Sequence, residues 1–241
     1  MSKSMPYGPR QSAVLPAFTD KTQRSSPIAI RIVNDVKERA SIYALRYRAY
    51  EKLLNAPPCD QGEEFHDALD NAATTVPFGA YDAGRLVGAM RLCFSRPKDS
   101  LSTLPCAGYY PELKAVKQSA RESLMEVSRF TIDTCIANTS YRTTLYANLV
   151  RTSLMAAEAA RVSTILVATR PGWVRFYKYM LGFDMIGQPA NYPPGDLKIV
   201  LLGGSLDLAR KRQRMQNAFF RISPDEITGM RQALAPILAR A

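Results

Sequence analysis

Between Leu124 and Ile132 the chain reads Leu-Met-Glu-Val-Ser-Arg-Phe-Thr-Ile. This is strand composition, apolar with β-branched and aromatic residues, and it reads as a buried strand. Yet it carries two opposite charges, and a fold that buries this strand must find a place for both. Successive strand residues face opposite ways. Glu126 and Arg129 are three apart, so a regular strand would separate them. A β-bulge between them brings both toward one side, and bulges re-aim side chains next to active sites. A carboxylate and a guanidinium in a partly dry cleft are equipped for proton transfer. The same two groups could equally form a structural ion pair that ties the strand to a neighbour.

Three other segments bury charge in the same manner. Asp35 to Leu54 reads as a long amphipathic helix. At helical spacing Val36, Ala40, Tyr43, Tyr47, Tyr50 and Leu54 form an apolar stripe, flanked by Ile42 and Leu53. Arg46 falls inside this arc, where it must either be paired or snorkel to the rim. Arg85 to Phe94 reads as a strand in which Val87, Ala89, Arg91 and Cys93 share a face, again with an arginine among apolar neighbours. Asp67 and Asp70 follow a Pro-Pro turn, three residues apart. They suit helix capping, and they could also grip an amine or the two arginines.

Composition excludes much. The 241 residues are 46% apolar and suffice for a core. No run approaches the ~18 apolar residues of a membrane span, and no secretory h-region opens the chain. Cys59, Cys93, Cys106 and Cys135 are widely spaced. Cys93 and Cys135 lie in apolar runs as reduced core cysteines would, which fits a cytoplasmic protein. The single histidine, His66, cannot build a His-rich zinc site, and no C-x-x-C exists, so no metal is expected. No G-x-S-x-G, G-x-G-x-x-G or Walker sequence is present. The net charge of +11 calls for an acidic partner. The cations are not interleaved with aromatics, and no recognition-helix or zinc-finger pattern occurs, so nucleic acid is not the expected one.

Residues 1–26 lack periodicity and read as a flexible tail. Strands are expected at Ile28–Val33, Val76–Tyr81, Arg85–Phe94, around Glu126, at Thr164–Ala168, at Phe183–Ile186 and at Leu197–Leu202. Asp82-Ala83-Gly84 turns the hairpin. After the first helix, further helices are expected at Thr143–Arg161 and Pro171–Leu181, the latter with proline in its first turn. Residues 205–241 read as two more helices. The first carries Arg210-Lys211-Arg212-Gln213-Arg214, which could dock an acidic partner, contact a membrane surface or be a solvated face.

These motifs, in this order, resemble the acyl-carrier-protein-dependent N-acyl amino acid synthases. Those are relatives of the acyl-homoserine-lactone synthases within the GNAT acyltransferase superfamily. The residues that carry the resemblance are Leu45-Arg46-Tyr47-Arg48-Ala49-Tyr50 and Asp67-Ala68-Leu69-Asp70. Leu86-Val87-Gly88-Ala89-Met90-Arg91-Leu92 and Glu126-Val127-Ser128-Arg129-Phe130 follow, with a GNAT-like ending at Phe176 to Phe183. Lactone synthases carry a tryptophan soon after the first helix. Here the only one is Trp173, so N-acylation of a free amino acid is expected rather than lactone formation from S-adenosylmethionine.

The resemblance implies an α/β (α+β) fold with a single mixed central sheet, flanking helices and a C-terminal helical extension. Residues 27–205 would form the acyltransferase domain and 206–241 the extension. It implies an acyl chain carried as a thioester on the phosphopantetheine of an acyl carrier protein, with no other cofactor, and a free amino acid as acceptor. Glu126 would take the amine proton, Arg129 would orient Glu126 or bind substrate, and Tyr177 would protonate the leaving thiolate. Backbone N–H at the bulge would stabilise the oxyanion. Arg46 or Arg91 would hold the acceptor carboxylate, with Tyr50, Asp67 and Asp70 completing the binding site. Arg142, Arg151, Arg175 and Lys178 would dock the acidic carrier. Coenzyme A enzymes of the superfamily carry a glycine-rich loop at a helix N-terminus for the pyrophosphate. Here Asn138-Thr139-Ser140-Tyr141-Arg142-Thr143 has no glycine, which argues against free coenzyme A as donor. The alternatives are a lactone synthase and a basic nucleic-acid-binding or regulatory module without catalysis.

Overall fold

In the computed structural model, residues 28–59, 62–119, 123–195, 197–216 and 218–239 are described. The expected tail over 1–26 lies outside them. The strands are β1 (Ala29–Ile32), β2 (Thr75–Asp82), β3 (Arg85–Ser95), β4 (Ser123–Ile132), β5 (Val162–Thr169), β6 (Asp184–Tyr192) and β7 (Leu197–Ser205). They form one seven-stranded sheet in the order β1-β2-β3-β4-β5-β7-β6. All neighbours are antiparallel except β4 and β5, which run parallel. Ala83 and Gly84, at φ 47° and 81°, turn the β2–β3 hairpin. Two residues with positive φ match the twist of the strands they join.

The helices are α1 (Val36–Leu54), α2 (Leu113–Ser119), α3 (Thr139–Ala159), α4 (Val174–Leu181), α5 (Leu206–Gln216) and α6 (Pro224–Leu238). Asp35 caps α1 by accepting from the N–H of Lys37 and Glu38, and Asn55, at φ 54°, ends it. The single mixed sheet with flanking helices is the expected architecture. On the back face, Met90, Leu92, Phe94, Met125, Val127, Ile165, Val167 and Leu202 pack with α3 and α4. Leu206, Ala209, Phe220, Met230 and Leu234 join the same core, so α5 and α6 share the main hydrophobic core. The front face carries α1 and the segment 95–119, which includes α2 and a 3-10 turn at Pro105–Gly108.

Two details of the sheet position the site. Between β3 and β4, Ala89 pairs with Thr131 and Arg91 with Ser128, so β4 holds one extra residue there. This is the expected bulge, with Arg129 at φ 51°. Between β4 and β5, the pairing runs from Ser123–Val162 to Val127–Val167 and stops. From Ser128 onward β4 has no partner on that side, and the strands splay.

One expectation was misaligned. The buried residues of α1 are Ile42, Leu45 and Arg46, while Val36 is 80% exposed. The tyrosines drew the stripe too far round the helix. Tyr43, Tyr47 and Tyr50 are only half-buried, since a phenol keeps its hydroxyl near water while burying its ring.

Candidate active site

Five charged residues from four segments meet on the front face. Arg46 Nη1 donates to Asp70 Oδ1 at 2.7 Å. Asp70 Oδ2 lies 3.1 Å from Arg91 Nη1, which also donates to Asp67 Oδ1 at 2.6 Å. Asp67 Oδ2 accepts from Arg129 Nη2 at 2.7 Å. The chain Arg46–Asp70–Arg91–Asp67–Arg129 is continuous, and Arg46 and Arg91 are fully buried. The aspartates also do the capping that their spacing suggested. They form a capping box on the 3-10 turn Ala68–Asn71, with Asp67 accepting from Leu69 N–H and Asp70 from Asp67 N–H. Both readings of the acidic pair hold, because a carboxylate has enough lone pairs for a cap and a guanidinium together.

The electrostatics follow from burial and pairing. Burial opposes the charge of Arg46 and lowers its pKa. It opposes the charge of Asp67 as well, but the hydrogen bonds and charges of Arg91 and Arg129 outweigh it and hold that carboxyl well below the usual range. Three guanidiniums face two carboxylates here. Arg46 Nε and Nη2, Arg91 Nη2 and Arg129 Nε are buried without hydrogen-bond partners. Such groups are costly to leave unmet, and together they suit an incoming anion.

Glu126 faces the same side. It lies directly opposite Cys93, two positions along β4 from Ser128, and Ser128 Oγ accepts from Arg91 Nε at 3.0 Å. Glu126 is fully buried. Its Oε2 accepts from the backbone N–H of Cys106 at 3.1 Å, and its Oε1 has no partner. Burial pushes its pKa up to about 7, against the opposing pull of Cys106, Arg91 and Arg129. The role of Arg129 in orienting Glu126 is corrected: the bulge turns its guanidinium to Asp67. Tyr50, Phe65 and Tyr192 surround that guanidinium, with ring centroids 5.7, 4.5 and 5.8 Å away.

Tyr177 is placed differently. It packs in the back-face core and accepts a hydrogen bond from Tyr146 at 2.6 Å. Burial pushes its pKa up to about 12. Phe130, Tyr146, Trp173 and Phe176 form a contiguous aromatic cluster beside it, joining the splayed part of β4 to α3 and α4. Sequence reading missed this cluster, whose members come from three separated segments, β4, α3 and the stretch from Trp173 into α4.

Of the four cations expected to dock the carrier, Arg175 and Lys178 are exposed on α4. Arg142 is half-buried and donates to the Ile136 carbonyl at 3.3 Å. Arg151 is engaged within the fold. It donates to the carbonyls of Phe219 and Arg221, each at 2.8 Å, and to Glu226 at 2.7 Å. It clamps the C-terminal helices to α3. Among the described residues, no group of three or more His, Cys, Asp or Glu is placed to hold a metal ion, and no helix is long and apolar enough to cross a membrane.

Comparison with known proteins bears on this site. The family model for the N-acyl amino acid synthase FeeM matches residues 41–205, which hold all five charged residues and Glu126. No curated protein matches the sequence. Among solved structures, FeeM, an N-acyl amino acid synthase from uncultured soil microbes, has a TM-score of 0.61 at 18% identity, over 79% of this chain and 98% of that one. The acyl-homoserine-lactone synthase LasI has a TM-score of 0.57 at 18% identity, over 75% and 91%. A CoA-dependent acyl-homoserine lactone synthase, BjaI, with SAM and isopentyl-CoA, has a TM-score of 0.50 at 17% identity, over 82% and 93%. At these identities the structural likeness shows the fold.

Proposed function

Given that the chain belongs to the N-acyl amino acid synthase FeeM family and is an N-acyltransferase, we propose that it moves a long acyl chain from an acyl carrier protein thioester to the amine of a free amino acid. The observation that carries this reading is the pairing of two unmet needs on one face. Glu126 Oε1 is a buried acceptor with no donor, and the arginine network holds buried donors with no acceptor. An amino acid supplies both, an amine for the first and a carboxylate for the second. A general base works best when its pKa lies near the working pH, and Glu126 sits at about 7.

The acyl thioester lies in the splay beyond Val127 and Val167, reached by the amine from the front and by Tyr177 from the back. Glu126 takes the amine proton, the nitrogen attacks the carbonyl carbon, and the C–S bond breaks. The thiolate leaves with a proton from Tyr177. Free N–H groups on the unpaired edge of β4 stabilise the oxyanion. Arg46 and Arg91 hold the acceptor carboxylate with Asp67, Asp70 and Arg129 as their frame, and Tyr50 walls the pocket.

Two features at the N-terminus of α3 favour a carrier protein over coenzyme A. The Asn138 side chain already caps the helix through Tyr141 N–H at 2.9 Å. The Asp82 carboxylate sits against the first turn, accepting from Tyr141 Oη–H at 2.7 Å, where a pyrophosphate would meet like charge. The acidic carrier docks on Arg142, Arg175 and Lys178. Residues 27–205 form the transferase unit and 206–241 an extension over its back face, in a cytoplasmic protein. The reading is tested by comparing acylation of an amino acid with that of its decarboxylated amine, using one acyl carrier protein donor. A large preference for the amino acid supports it, and equal use of both contradicts it.

A further inference from the structure

We propose that Tyr146 is a positioning residue for acyl transfer: its hydroxyl, donating to Tyr177 Oη, directs the Tyr177 proton to the leaving sulfur and steadies the phenolate left behind. The proposal rests on the reading of Tyr177 as the acid that protonates the thiolate.

The geometry is specific. Tyr146 Oη lies 2.6 Å from Tyr177 Oη and donates to it. A phenol oxygen carries one hydrogen, so once Tyr177 accepts from Tyr146 its own proton is directed elsewhere. Three rings hold Tyr146 in place. Phe130 packs against it with centroids 4.8 Å apart, Trp173 stacks on it at 5.3 Å with the ring planes 16° apart, and Phe176 meets it edge-on at 5.2 Å. Phe176 also meets the Tyr177 ring edge-on, at 5.3 Å, so one side chain braces both phenols. Phe130 lies two residues beyond Ser128, on the part of β4 that has left β5. The braced pair therefore stands beside the splay.

The environment sets an order within the pair. Burial pushes the Tyr177 phenol up to about 12, against the opposing pull of the bond from Tyr146. Burial, with the neighbouring Tyr177, pushes Tyr146 well above the ordinary phenol range. Tyr177 is thus the one that yields its proton more readily. As the C–S bond breaks, its electron pair goes to sulfur, and the Tyr177 proton joins that sulfur. Tyr177 is left as a phenolate and regains a proton from solvent between turnovers. A hydrogen bond to an ionised acceptor is stronger than one to a neutral acceptor, so the Tyr146 contact tightens as this charge develops. Contacts that strengthen in the transition state are the ones that raise the rate. A pair serving packing alone could be replaced by two apolar groups of the same shape at little cost.

The test is the single-turnover rate of acylation of one amino acid from two thioesters of the same acyl chain. One is the pantetheine thioester, whose alkyl thiolate needs a proton on leaving. The other is the thiophenol thioester, whose more acidic thiol leaves without one. Wild type, Tyr146→Phe, Tyr177→Phe and the double variant are compared, each checked for folding by thermal melting. With pantetheine the expected loss is roughly 10²-fold in Tyr177→Phe and about 10-fold in Tyr146→Phe. With thiophenol both losses should be small. The double variant should be no slower than Tyr177→Phe, because the two residues act as one unit. A wild-type rate in Tyr146→Phe, a loss equal for both thioesters, or a further loss in the double variant overturns the positioning role. A donor-dependent loss in Tyr177→Phe then leaves the acid assignment intact. A wild-type rate in Tyr177→Phe, or an equal loss with both thioesters, overturns the acid assignment and the positioning role with it. Should Tyr146→Phe not fold, Tyr146→Leu, which also lacks the hydroxyl, is read in the same way.

Discussion

Arg129 Nη2 lies 2.7 Å from Asp67 Oδ2, across 62 positions of sequence. The contact depends on the bulge in β4, where Arg129 takes a φ of 51°. A non-glycine residue in the left-handed region carries roughly 1–2 kcal/mol of strain. The strained backbone delivers the guanidinium to a carboxylate that Arg91 also holds, and it leaves Glu126 without a salt-bridge partner. Separating the two opposite charges of β4 is what the proposed role of Glu126 as a base requires.

Glu126 gives a pH signature of known sign. Burial raises its pKa from 4.5 to about 7, so the folded protein holds this proton more tightly than the unfolded chain. Its stabilising contribution is complete below about 4.5 and is lost as pH rises through about 7. Catalysis runs the other way, because the base must be ionised. Glu126→Gln should lower kcat by roughly 10²-fold or more and remove the acid limb of kcat/KM. Its melting temperature should match wild type near pH 4 and exceed it near pH 8. Thermal melts at both pH values, with steady-state rates, check this. A folded variant with wild-type rates contradicts it.

Arg46 tests the shared network. It is fully buried against Asp70. Arg46→Met removes one partner of a buried pair, which typically costs about 3–5 kcal/mol, and denaturant unfolding should report a loss of that order. Arg46→Lys should keep the charge but lose the fork geometry. Because Arg46 also frames Asp70, the lysine variant should lose efficiency with both acceptors, and lose more with the amino acid, whose carboxylate it is proposed to hold, than with the decarboxylated analogue. A stable Arg46→Met with unchanged kinetics contradicts this role.

Donor choice should depend on exposed charge. With matched acyl chains, acyl carrier protein should give a far higher kcat/KM than coenzyme A, and the preference should shrink with added salt. Charge reversal at Arg175 and Lys178 should slow the reaction with the carrier protein at low salt and leave a short pantetheine thioester unaffected. Equal loss with both donors would show that these residues act on the fold or the chemistry rather than on docking.

Arg151 separates structure from function. It ties α3 to the Phe219 and Arg221 carbonyls and to Glu226. Arg151→Ala should lower stability by roughly 2–4 kcal/mol, while the properly folded fraction keeps its KM for the carrier protein. A raised KM with unchanged stability would return Arg151 to the docking surface.

The sheet and the bulge were legible because they follow from short-range pattern. Glu126 and Arg129 sit three apart in an apolar strand, and Ala83-Gly84 lies between two alternating runs. The charge network was legible only as a set of buried charges needing partners. Which guanidinium meets which carboxylate depends on how α1, the Asp67 turn and the β4 bulge converge, and no local period encodes that. The buried face of α1 was misjudged because three tyrosines count as apolar on a helical wheel but bury only their rings. The contact from Cys106 to Glu126 left no signal at all, since Cys106 sits in an irregular proline-bearing turn and donates its backbone N–H.

The most direct measurement is to incubate the protein with acyl carrier protein charged with a long acyl chain and a mixture of free amino acids, then analyse the products by mass spectrometry. The expected result is an N-acyl amino acid, formed by wild type and reduced by roughly 10²-fold or more in Glu126→Gln. A product that forms only with S-adenosylmethionine and carries a lactone, or no acylated product at all from a folded protein, would contradict the assignment.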